Sequence, residues 1–129
     1  SEVERVFAGL RAAGLLDNTI VALWSDHGDF AGEHQLVEKW DTSFYDCITR
    51  VPLVLWGPGY IKPMRTDALV ESIDLLPTLL ELAGVEVPRG IQGRSTVPLL
   101  RGTKTEHRDL VLCQGGQEPD MFDRVVPPN

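Results

Sequence analysis

The stretch LWSDHGDFAGEHQLVEK, residues 23–39, leaves a core-like run and then gathers two Asp, two Glu, two His and one Lys within a dozen or so positions. That much charge straight after core residues marks either a solvated loop or a strand end converted into a site. The run feeding it, TIVALWS (19–25), is unbroken, apolar and rich in β-branched residues. It predicts a strand covered on both faces, as in a parallel sheet. In open α/β sheets, ligands bind beyond the carboxyl ends of the strands, which is where Ser25-Asp26-His27-Gly28 falls. Adjacent side chains on a regular strand diverge, but a sharp turn at Gly28 lets Asp26 and His27 converge. A carboxylate beside an imidazole suits a divalent metal. A Ser-Asp turn with a capping Asp and a backbone-bonded histidine explains the same four residues, and on these residues alone it is the stronger reading.

Outward from this stretch, helices and strands alternate. Val3, Val6, Phe7 and Leu10 recur at helical spacing and predict a helix over Val3–Ala13 that Gly14 closes. TSFYDCITR (42–50) predicts a short helix begun by Thr42 or Ser43, and VPLVLWGPG (51–59) a second buried strand stopped by Gly57, Pro58 and Gly59. SIDLLPTLLELAG (72–84) is amphipathic, with Asp74 as N-cap, Pro77 in the first turn, Leu76, Leu79, Leu80 and Ala83 facing inward, and Gly84 at the end. IQGRSTVPLLRG (91–102) reads as loop and helical turn, RDLVLCQ (108–114) as one more strand, and residues 115–129 as an irregular tail. The order implies an α/β layer with a largely parallel sheet flanked by helices, the two strands adjacent or nearly so. There is no internal repeat and no flexible linker.

The 129 residues suffice for one modest domain, and a 43% apolar content fits a protein with a core. A net charge of −7 argues against nucleic-acid binding, and no apolar run approaches the ~20 residues of a membrane span. Cys47 and Cys113 make neither a disulfide framework nor a zinc site. The first residues already read as helix, as if the chain were cut from something longer.

Several segments in fixed order add a family resemblance. Ser25-Asp26-His27-Gly28 is followed by Gly32-Glu33-His34, then Lys39, Tyr45-Asp46 and Arg50-Val51-Pro52-Leu53. SIDLLPTLLELAGVEVP and IQGRSTVPLL come after. This set resembles the sulfatase family of the alkaline-phosphatase-like superfamily over residues 2 to 112 or so. The resemblance implies an alkaline-phosphatase-like α/β fold present as a partial domain. Residues 1–112 would be the C-terminal part of the catalytic domain, and 113–129 an irregular tail or the start of the following subdomain.

Carried over residue by residue, the resemblance makes Asp26 and His27 metal ligands and Lys39 the contact to the sulfate or its bridging oxygen. His34 either approaches the substrate or makes a structural hydrogen bond. The implied metal is Ca²⁺, with Mn²⁺ or Zn²⁺ as alternatives, and the substrate a small-molecule or glycan sulfate ester. Sulfate-ester cleavage builds charge on the leaving oxygen, so a lysine and a cation on either side of the ester are chemically apt. The bland alternative for Lys39 is a solvated residue beside Glu38. Asp29, Glu33 and Glu38 read as turn and surface charges, Arg50 as a structural ion pair, and Trp24 and Trp40 as core or cleft-wall residues. The family's formylglycine nucleophile matures from a C/S-x-P-S/T-R segment, which neither Cys47 nor Cys113 provides. The early Asp-Asp metal ligands are also missing. Half an active site is therefore expected here. A phosphonate or phosphate ester hydrolase of the same superfamily, or a non-catalytic interaction module, stands as the alternative.

Overall fold

The computed structural model describes residues 1–39 and 43–114. It divides into two compact units: residues 1–23 with 53–111, and residues 24–52 with the segment after 111.

In the first unit, helix α1 (Glu2–Ala12) opens with a reciprocal Ser1/Glu4 capping box and ends one residue earlier than its apolar spacing predicts. Gly14, at φ 67°, closes it: the Leu15 N–H reaches the Leu10 carbonyl at 2.9 Å and the Gly14 N–H that of Arg11 at 3.1 Å. Helices α3 (Leu75–Leu82) and α4 (Val97–Leu100) end with the same double bond around Gly84 and Gly102. In all three a glycine takes the left-handed position that satisfies the last carbonyls. Strands β1 (Val21–Trp24) and β4 (Leu53–Trp56) are paired neighbours, as their adjacency predicts. Phe7 of α1 meets Trp56 of β4 edge-on at 5.0 Å.

Coverage of these strands is lighter than their apolar runs suggest. Leu23, Trp24, Leu53 and Val54 are all exposed, because a two-stranded ladder has too few flanking elements to bury both faces. The core of this unit lies instead between α3 and α4, on Leu75, Pro77, Thr78, Leu82, Thr96, Val97 and Leu99. The expected inward face of α3 is thereby corrected. Leu76 and Ala83 are exposed, and Thr78 points inward because its hydroxyl donates to the Asp74 carbonyl at 2.6 Å and lies 3.0 Å from Thr96 Oγ1. Asp74 precedes α3 but does not cap it with its side chain; a 3-10 turn over Ser72–Asp74 leads into the helix. Residues 108–114 form no strand, since a β-prone segment needs a ladder to accept it.

The second unit contains a hairpin that the sequence pattern does not anticipate. Strands β2 (Phe30–Ala31) and β3 (Val37–Glu38) pair antiparallel, with Phe30 opposite Glu38 and Ala31 opposite Val37. Helix α2 (Asp46–Thr49) starts later than Thr42 or Ser43, after an extended Tyr45. Phe30 and Ile48 form this unit's small core. Trp40, Thr42 and the tail from residue 115 lie outside the described residues.

Candidate active site

Asp26, His27 and Lys39 come together in the second unit. The chain leaves β1 and bends at Ser25, whose hydroxyl donates to the His27 carbonyl at 2.6 Å. The His27 N–H donates to Asp26 Oδ1 at 3.0 Å, which turns the carboxylate back along the chain. Asp26 Oδ2 then lies 3.6 Å from His27 Nε2, so the two side chains do converge. Gly28 enables this by a different route from a left-handed turn. A Cβ there would fall 1.8 Å from the Cys47 carbonyl oxygen, and the Gly28 N–H donates to the Ile48 carbonyl at 2.7 Å. The strand end is thus pressed directly onto α2.

The β2–β3 hairpin returns the chain so that Lys39 Nζ donates to His27 Nε2 at 3.1 Å, twelve positions from its partner. On the other side of the ring, His27 Nδ1 lies 2.7 Å from the Gly28 carbonyl. These two contacts assign the tautomer. A carbonyl only accepts, so Nδ1 carries the hydrogen; an ammonium only donates, so Nε2 offers its lone pair. Nε2 therefore faces Asp26 Oδ2 and Lys39 as an acceptor. The Asp26 carboxyl is held below its ordinary range, first by the His27 N–H and further by the charge of Lys39.

This donor set fits a divalent cation in kind, one carboxylate oxygen and one imidazole lone pair. Among the described residues, no group of three or more His, Cys, Asp or Glu is placed to hold a metal ion, so two ligands are what this segment offers.

His34 sits at the hairpin tip, in a different arrangement. Its ring stacks on Tyr45 at 3.8 Å between centroids and 21° between planes, and both meet Phe30 edge-on. Gly32, His34, Gln35 and Glu38 all carry positive φ, which is how so short a hairpin reverses. Glu33 accepts from the Ala31 N–H at 3.0 Å, a turn role as expected. Arg50 is exposed and makes no ion pair among the described residues. The Tyr45 stack likewise has no signal in the sequence pattern.

A polar cluster in the first unit escaped the sequence reading. Asp74, fully buried, accepts from the Glu71 N–H at 3.0 Å, the Arg94 N–H at 2.7 Å, Arg108 Nε at 2.9 Å and His107 Nε2 at 3.1 Å. Arg108 also pairs with Glu71 at 2.9 Å. Burial pushes the Asp74 carboxyl up, but Arg108, the two N–H groups and His107 outweigh it and hold the group well below the usual carboxylate range.

A family model described as Sulfatase matches residues 1–85. A delta 4,5-hexuronate-2-O-sulfatase of Bacteroides thetaiotaomicron is 42% identical over 106 residues, covering 80% of this chain and 22% of that protein. A solved structure of a protein in complex with its substrate, D-glucosamine-2-N,6-O-disulfate, matches with a TM-score of 0.73 and 37% identity, over 83% of this chain and 21% of that one. A phosphonate monoester hydrolase from Silicibacter pomeroyi matches with a TM-score of 0.70 and 35% identity, over 83% of this chain and 20% of that one. The chain spans about a fifth of the length of the curated relatives it matches.

Proposed function

Because this chain belongs to the sulfatase family, we propose that it carries part of the active site of an enzyme hydrolysing sulfate monoesters of small molecules or glycans. Asp26 and His27 hold a divalent cation, Ca²⁺ in the first instance and Mn²⁺ or Zn²⁺ otherwise, together with ligands from outside this chain. A bound cation supplies Lewis-acid polarisation of the sulfuryl group. Lys39 donates to the sulfate or its bridging oxygen and offsets the charge that grows there as the S–O bond breaks. His34 lines the substrate side. The formylglycine nucleophile lies outside this chain. In the intact enzyme, β1 and β4 run parallel within a larger sheet, and residues 113–129 lead out of the catalytic domain.

The observation that carries this assignment is the meeting of Lys39 Nζ with His27 Nε2 at 3.1 Å, beside Asp26. That contact joins residues twelve positions apart at the strand end, which supports a site there over a solvated loop. The glycan sulfate relatives support the substrate class at the level of the family. A second reading, phosphonate or phosphate ester hydrolysis, is favoured by the Silicibacter relative.

The test is Asp26→Ala in the full-length enzyme, read by metal analysis and by turnover of paired sulfate and phosphonate monoesters. Loss of both metal and activity is expected, with wild type preferring the sulfate. Stoichiometric metal in Asp26→Ala would falsify the ligand assignment, and preference for the phosphonate selects the second reading. No metal and no turnover of either ester in the wild-type protein would leave only an interaction module.

A further inference from the structure

His27 Nε2 has one lone pair and two claimants. Its tautomer is set by the Gly28 carbonyl, 2.7 Å from Nδ1, and Gly28 is itself clamped through its N–H to Ile48 and by contact with the Cys47 carbonyl. The ring therefore cannot offer Nδ1 to a ligand without breaking that bond. Lys39 Nζ donates to Nε2 at 3.1 Å, on the same atom that faces Asp26 Oδ2 at 3.6 Å. A cation bridging Asp26 and His27 needs that same lone pair.

We propose that Lys39 has two stations, and that metal binding drives it from one to the other. On the first, its ammonium holds the Nε2 lone pair next to Asp26 and keeps the ring in its ligating tautomer. His27 would ligate a divalent cation through that lone pair, and Lys39 would then be released to the position where it can donate to the substrate. The sharing of one lone pair makes the two states mutually exclusive. Metal affinity and lysine position are then linked, and removing Lys39 relieves the competition. This rests on Asp26 and His27 being metal ligands, as proposed above.

Calorimetric titration of the metal-stripped full-length enzyme with Ca²⁺ and with Mn²⁺ tests the linkage. A hydrogen bond's net contribution shifts an equilibrium by roughly three- to tenfold. Lys39→Met is therefore expected to tighten binding by that factor while turnover falls, two changes of opposite sign. Removing a positive charge also relieves simple repulsion, so the comparison is repeated in high salt, which weakens through-solvent repulsion between exposed charges while leaving competition for one lone pair in place. Contact competition predicts that most of the gain survives. A gain that vanishes in high salt, or no gain at all, overturns the proposal. So does a Mn²⁺-loaded crystal structure in which Lys39 Nζ still bonds His27 Nε2. If wild type binds neither ion and Asp26→Ala changes nothing, the metal assignment itself fails, and this linkage falls with it.

Discussion

The molecule holds two groupings of the same composition: an aspartate, a histidine and a cation. Asp26, His27 and Lys39 stand at an open strand end, with the Asp26 side chain 83% exposed. Asp74, His107 and Arg108 are enclosed, with the Asp74 side chain at 0%. Asp74 spends its acceptor capacity on two N–H groups, a guanidinium and an imidazole. Asp26 has one N–H and a facing ring, so an oxygen remains available to a further ligand. Burial demands full satisfaction, and a satisfied carboxylate has nothing left to offer a ligand. Residue type alone does not separate these two groupings; unmet coordination does.

The sharpest way to break this comparison is to remove each carboxylate. Asp74→Ala leaves Arg108 and two N–H groups without their acceptor and should destabilise the protein by about 3–5 kcal/mol in chemical denaturation. Asp26→Ala should abolish metal binding while leaving the denaturation midpoint of the metal-free protein unchanged. Equal stability losses in the two variants would erase the distinction.

On the catalytic side, Lys39→Ala should lower kcat by ~100- to 1,000-fold on a substrate with a poor leaving group, and by less on a good one. Metal content should stay stoichiometric. A kcat within about threefold of wild type on the poor leaving group would reduce Lys39 to a surface residue.

A smaller effect is expected at Gly28. A methyl group there meets the Cys47 carbonyl at 1.8 Å, so Gly28→Ala must push the strand end off α2. Such overpacking costs about 1–3 kcal/mol. The displaced Gly28 carbonyl should also release the His27 tautomer, visible in imidazole ¹⁵N shifts. An unchanged tautomer would mean the clamp is not what orients the ring.

The mildest expectation concerns pH. The Asp74 carboxyl titrates below its unfolded value of about 4, so its contribution is complete above that pH and fades as acid approaches the folded value. Stability of wild type should fall with acidification below about pH 5, and that of Asp74→Asn should fall less. Parallel profiles for the two proteins would show that Asp74 is not the ionised hub.

What could be read from sequence was whatever local bonding decides. Helix ends at Gly14, Gly84 and Gly102 depend on one residue and its neighbours, so the glycines sufficed where they were noticed. The pairing of Asp26 with His27 needed only a bend in adjacent residues, and the ordered motifs supplied the family. Tertiary structure decided the rest. The inward face of α3 turned on Thr78 finding Thr96, eighteen positions away, which no hydrophobic count registers. Asp74 looked like a helix cap because local pattern favours that role, whereas its partners Arg94, His107 and Arg108 lie 20 to 34 positions on. Apolar runs at 19–25 and 108–114 looked alike as strands, yet only the first has a ladder, in β4. Lys39 reaches His27 because a short hairpin of two-residue strands, with left-handed residues in its turn, fits between them. Side-chain bonding over a dozen or more positions depends on where folding brings the chain, and that placement is a property of the packed molecule rather than of any window of its sequence.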